Sequence, residues 1–152
     1  MINIKQQIKT KAPVLDLTGH FFPEVQVRAN PEVTQETLDS GDAYDIDFVT
    51  NVRLSQSDER PDNYLIEFNL CTDKKQADKA WEISVTVVGS FVLPECEEQK
   101  RIGIVMVNGQ SMLYGIVREF LYSLTSKGPF DPVYLPTITF YPDPENEIKE
   151  PD

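Results

Sequence analysis

Three stretches of this sequence alternate apolar and polar side chains with a period of two, and that pattern leaves few folds open. In residues 44–54, Tyr44, Ile46, Phe48, Val52 and Leu54 take one side, while Asp45, Asp47, Asn51 and Arg53 take the other. Tyr64, Ile66, Phe68 and Leu70 repeat the pattern. Trp81, Ile83, Val85, Val87 and Phe91 do so again, with Glu82, Ser84, Thr86 and Ser90 opposite. Successive side chains of a strand point to opposite faces, so each stretch predicts a strand with one wet and one buried face. The breaks between them, SDERPDN at 57–63 and DKKQADK at 73–79, are short and carry turn chemistry, which predicts an antiparallel meander. Upstream, Leu15, Leu17, Phe21, Val25 and Val27 share odd positions between Pro13 and Pro31. They predict a fourth strand, bent near Gly19 or Pro23. Residues 29–43 are polar and read as a surface excursion.

A sheet with one apolar face needs a cover. Met112, Leu113, Ile116, Val117, Phe120, Leu121 and Leu124 recur at three- and four-residue spacing, which predicts a helix over about 110–127. Ser111 or Asn108 is placed to cap its start, and Gly128 followed by Pro129 ends it. Lys127 suits the negative end of the helix dipole. Residues 95–107 stay open between a helical turn at ECEEQKR and a strand at IGIVMV. The expected fold class is therefore α+β: a four-stranded antiparallel sheet of meander or Greek-key type packed with one long C-terminal helix. All 152 residues read as one domain, with the sheet over about 13–92, an extended strip at 129–140 and a flexible acidic tail at 141–152. An apolar content of 40% is enough for one core.

Charge and motif content exclude several functions. The net charge is −11, and phosphate binding depends on basic side chains, so a nucleic-acid partner is not expected. The acidity reads as a solvated surface, or as a face that steers toward a basic partner. Lys5, Lys9 and Lys11 make the N-terminus basic, but no apolar run follows to form a secretory leader, and no run is long enough to span a bilayer. The expected compartment is cytoplasmic, without membrane insertion. His20 is the only histidine, and Cys71 and Cys96 are the only cysteines, without CxxC spacing. Cys71 falls on a strand, and the acidic neighbours of Cys96 raise a thiol pKa rather than lower it. Asp45 and Asp47 point off one strand face, where two carboxylates are ordinarily solvated. No phosphate loop, HExxH or GxSxG occurs. The expectation is no enzyme, no catalytic residue, no metal and no cofactor.

What the sequence does hold is a concentration of aromatics near its end: Tyr114, Phe120, Tyr122, Phe130, Tyr134, Phe140 and Tyr141. The same region, NGQSMLYGIVREFLYSLTSKGPF followed by LPTITF, resembles SecB-type export chaperones. Arg118–Glu119 matches that family's Arg-Glu pair in the long helix. Gly128 and Phe130 match its Gly-x-Phe turn, Leu135 and Phe140 its final extended strip, and ANPEV at 29–33 the end of its first strand.

The resemblance implies an ATP-independent holdase that binds unfolded or nascent polypeptides in apolar grooves. It also implies a homo-oligomer, a dimer of dimers with helices between two sheets, and SecA as a partner of the export members. On that basis Tyr114, Phe130, Val133, Tyr134, Leu135, Ile138 and Phe140 are the expected polypeptide-binding residues. Leu113, Ile116, Val117, Phe120, Leu121 and Leu124 are the expected oligomer interface. The helix stripe agrees, because it offers more apolar girth than one sheet covers. Family members continue into a second C-terminal helix, whereas here Phe140 is followed by YPDPENEIKEPD, whose three prolines fit no helix of useful length. Some relatives serve the antitoxin of a toxin–antitoxin pair instead of export, which makes an antitoxin the alternative partner. A non-chaperone scaffold subunit, with its aromatics wholly buried in assembly, is the remaining reading.

Overall fold

The structure is a computed structural model that describes residues 15–140, so the expected acidic tail at 141–152 lies outside the described residues. Its strands are β1 (Asp16–Ala29), β2 (Phe48–Gln56), β3 (Asn63–Thr72) and β4 (Trp81–Val92). They form one antiparallel sheet in the spatial order β1-β4-β3-β2. β2, β3 and β4 are the meander, and β1 crosses the sheet end to reach β2 at the far edge, which completes a Greek key.

Alternation is obeyed most strictly in the two central strands. Tyr64, Ile66, Phe68 and Leu70 of β3 and Trp81, Ile83, Val85, Val87 and Phe91 of β4 are all buried on one face. The edge strands depart from it. β2 starts at Phe48, and its inner residues Phe48, Val52 and Leu54 stay half-buried. Tyr44, expected on that strand, instead belongs to a 3-10 turn at Asp42–Tyr44, which follows α1 (Gln35–Ser40) in the excursion. β1, expected to bend near Gly19 or Pro23, loses register with β4 at both places, between Leu17 and Gly19 and between Phe21 and Glu24, and each is a bulge. The first bulge swaps the faces and the second restores them. Phe21 pairs with Val88 on the outer face at 60% exposure, whereas Phe22 turns inward and stacks on Phe120 at 4.5 Å.

The inner face is covered by α2 (Glu98–Thr125), which begins twelve residues before the expected start. Asn108 and Ser111 are therefore not caps but lie within the helix, and Asn108 Nδ2 donates back to Ile104 O at 3.0 Å. Glu97 at the true start makes no side-chain capping bond. Arg101, one turn in and only 6% exposed, anchors this end instead. It donates to Leu93 O (2.7 Å), Pro94 O (3.0 Å), the Tyr64 hydroxyl (3.0 Å) and Asp62 Oδ1 (2.7 Å). Val105, Leu113, Val117 and Leu121 then face the sheet at 0% exposure, each side chain contributing roughly 1.5–3 kcal/mol of apolar burial. The helix ends at Thr125 and tapers through a tighter turn, Gly128 N donating to Thr125 O at 3.1 Å. Gly128 is needed for close approach, since a Cβ there would strike the Trp81 ring.

Candidate functional site

Past Gly128 the chain turns back and runs antiparallel along one flank of α2 without forming a regular strand. Each anchor of this strip is a specific polar contact. Trp81 Nε1 donates to Asp131 O at 2.9 Å, and Asp131 N donates to the Tyr44 hydroxyl at 3.4 Å. Val133 N donates to Thr125 Oγ1 at 2.9 Å, while that hydroxyl donates to Leu121 O at 2.6 Å. Thr125 is fully buried, so its hydroxyl at once closes the helix end and receives the strip. Further along, the Tyr114 hydroxyl donates to Pro136 O, and Arg118 Nη1 donates to Thr137 Oγ1 at 3.3 Å. Burial pushes the Tyr114 phenol above its ordinary pKa.

These anchors sort the strip's side chains by alternation. Val133 and Leu135 point inward at 7% and 2% exposure, and Tyr114 is buried beneath them, edge-on to Phe68 of β3. Phe130 and Phe140 are half-buried, packed edge-on against Trp81 and Tyr114 respectively, with ring centroids 5.9 Å apart in each pair. Tyr134 is 73% exposed and leans against Tyr122 of the helix, centroids 4.5 Å apart, with Ile138 two turns of alternation further on. The seven residues expected to bind polypeptide thus divide into a buried set (Tyr114, Val133, Leu135), a half-buried pair (Phe130, Phe140) and an exposed pair (Tyr134, Ile138). Trp81, Tyr44 and Thr125, which place the strip, were expected only as core or helix positions.

The expected interface residues divide as well. Leu113, Val117 and Leu121 are fully buried against the chain's own sheet. Ile116, Phe120 and Leu124 are half-buried on the flanks of α2, and Met112 and Tyr122 are exposed.

Reactive groups do not converge. His20 is exposed on the edge strand β1, Cys71 faces outward from β3, and Cys96 lies in the β4–α2 linker. Among the described residues, no group of three or more His, Cys, Asp or Glu side chains is placed to hold a metal. An open cleft of about 630 Å³ lies between the ends of β1 and β4 and the loop at 73–79. Its charged groups are of both signs, and two of them, Arg28 and Glu82, form an ion pair at 3.0 Å. No described helix is long and apolar enough to cross a membrane.

The sequence matches the family described as preprotein translocase subunit SecB over residues 9–142. A search of curated protein sequences returned no significant match. Among solved structures, the chain is similar to a Mycobacterium tuberculosis SecB-like chaperone in complex with a ChAD peptide from the HigA1 antitoxin. The TM-score is 0.58 at 11% identity, covering 83% of this chain and 91% of that one. It is also similar to a Streptococcus agalactiae protein of unknown function, with a TM-score of 0.47, 16% identity and coverage of 81% and 97%.

Proposed function

The chain belongs to the SecB family, and from that premise we propose that it is a molecular chaperone that holds unfolded or nascent polypeptides without nucleotide or metal. The observation that carries this reading is the outward side of the strip. Tyr134 and Ile138, with Tyr122 beside them, present apolar surface at 73%, 39% and 39% exposure. They stand over a floor that Val133, Leu135 and Tyr114 already hold rigid. Aromatic rings give large contact area at low entropy cost and accept varied partners, which suits clients without a common sequence. Phe130 and Phe140 extend the surface at either end.

The proposed assembly is a homo-oligomer, a dimer of dimers, with Ile116, Phe120 and Leu124 on the helix flanks meeting a second copy. The proposed compartment is the cytoplasm. Clients are preproteins handed to SecA or a single antitoxin; the antitoxin peptide bound to the Mycobacterium tuberculosis protein is what favours the second reading. Aggregation of several unrelated unfolded proteins, followed with and without the purified chain, tests the proposal. Suppression across the panel, unchanged by ATP, Mg²⁺ or chelator, is expected. Release of client that depends on nucleotide contradicts it, and suppression confined to one partner decides for the dedicated role.

A further inference from the structure

The crossover between β1 and β2 is stitched to the loop between β3 and β4 at several stations. At its entrance, Asn30 N donates to Ala80 O (2.8 Å) and Asn30 Nδ2 to Lys79 O (2.9 Å). At its exit, the Gln76 amide imitates a strand partner: Asp47 N donates to its Oε1 and its Nε2 donates to Asp47 O, both at 2.8 Å. Between them Ala80 N donates to Ala43 O at 2.9 Å, and both alanines are fully buried. The Asn30 and Ala80 stations rest on backbone groups or on core, while the Gln76 station is exposed but lies outside α1.

The station at α1 differs. Thr34 N and Thr34 Oγ1 donate to the two carboxylate oxygens of Asp78, at 2.9 and 2.8 Å, and this contact is exposed to water. α1 contributes no buried residue, and only Val33 and Leu38 around it pack partly against the core. Asp78 has φ +58°, alone among the described non-glycine residues in being positive. Such a conformation persists where surrounding contacts impose it. A segment with few buried apolar contacts and exposed polar ties is where local opening concentrates.

We propose that residues 31–40 form a flap that opens as a unit, with the Asp78–Thr34 pair as its latch. Asn30 is one hinge. The other is Gly41, at φ +84° with open space where a Cβ would stand. Opening lifts Val33 and Leu38 from the core while Ala43 stays seated and Tyr44 keeps Asp131 in place. The flap therefore moves beside the first residues of the strip without dislodging it. On the chaperone reading, on which this consequence alone rests, an open flap lengthens the apolar surface offered to a client.

Hydrogen exchange read by mass spectrometry on the full chain tests the flap without any client. Amides of residues 35–41 are expected to exchange about 100-fold faster than those of β3 and β4. Asp78→Gly removes the carboxylate while accepting the positive φ, so it reports the latch free of backbone strain. It is expected to speed exchange of 35–41 by about tenfold, leaving the sheet amides unchanged, and Asp78→Asn, which keeps an acceptor, by less. Unchanged exchange at 35–41 in Asp78→Gly overturns the latch. Equal acceleration in the flap and in β3 and β4 overturns the flap as a separate unit. Aggregation suppression, measured on the same variants, decides the chaperone reading independently.

Discussion

Arg101 holds the first turn of α2 with one guanidinium reaching two backbone carbonyls, a phenol and a carboxylate. Replacing it with Met keeps the stem's packing and leaves those acceptors unpaired, so Arg101→Met is expected to lower stability by about 1–3 kcal/mol in urea titration. Asp62 is half exposed and can return to water, which keeps the loss at that level. Arg101→Lys rescues little, because a point charge does not reproduce the planar fork. In the sequence, EEQKR looks like solvated charge, and nothing local marks which basic residue is buried. Asp78 was equally silent, since its partner Thr34 is 44 positions away. Its carboxyl is held below the usual value of 3.8 by the Thr34 backbone and hydroxyl bonds, with Thr37 and Lys79 adding to them. A depressed folded pKa contributes stability above the open-state value and loses it as pH falls through the folded one. Protection of α1 amides, corrected for intrinsic exchange, is therefore expected to be flat from pH 7 to about 4 and to fall below that.

At the scale of elements, β3, β4 and the second half of α2 were legible because each buries one face only. The first half of α2 was not. In IGIVMV, Val105 faces the sheet while Ile102, Ile104, Met106 and Val107 are all half-buried, so no stripe shows and the β-branched residues read as strand. α1 was invisible for the opposite reason, having no buried face at all. Phe21 misled because a bulge shifts the alternation by one residue, which only pairing with β4 reveals. In the strip, alternation separates two roles that a mutation series reads apart. Leu135→Ala is expected to cost about 2–5 kcal/mol, since that side chain is core. Tyr134→Ser is expected to leave stability within about 0.5 kcal/mol while weakening suppression of aggregation. Thermal melting alongside light scattering checks both. Lost melting temperature in Tyr134→Ser, or unchanged suppression, counts against a client surface there.

At the scale of the whole molecule, one sheet and one helix leave Ile116, Phe120 and Leu124 half covered and Met112 in water. A dimer or tetramer at micromolar concentration is therefore expected by sedimentation, with Met112→Asp and Leu124→Asp shifting it toward smaller species. A stable wild-type monomer contradicts the assembly. The two sheet edges are unlike each other. β1 carries Pro23, two bulges and the charges Asp16, Glu24 and Arg28, whereas β2 has Arg53 alone and no such interruption. The Greek-key order also sets a schedule. Thr18 meets Ser90 across 72 positions of sequence, so during synthesis β1 leaves the ribosome first and waits while the entire meander is made. Loop closure over that distance comes late, and docking of β1 on β4 is expected to be the slow step of folding. The bulges and proline that spoil β1 as a template for other chains protect it during that wait.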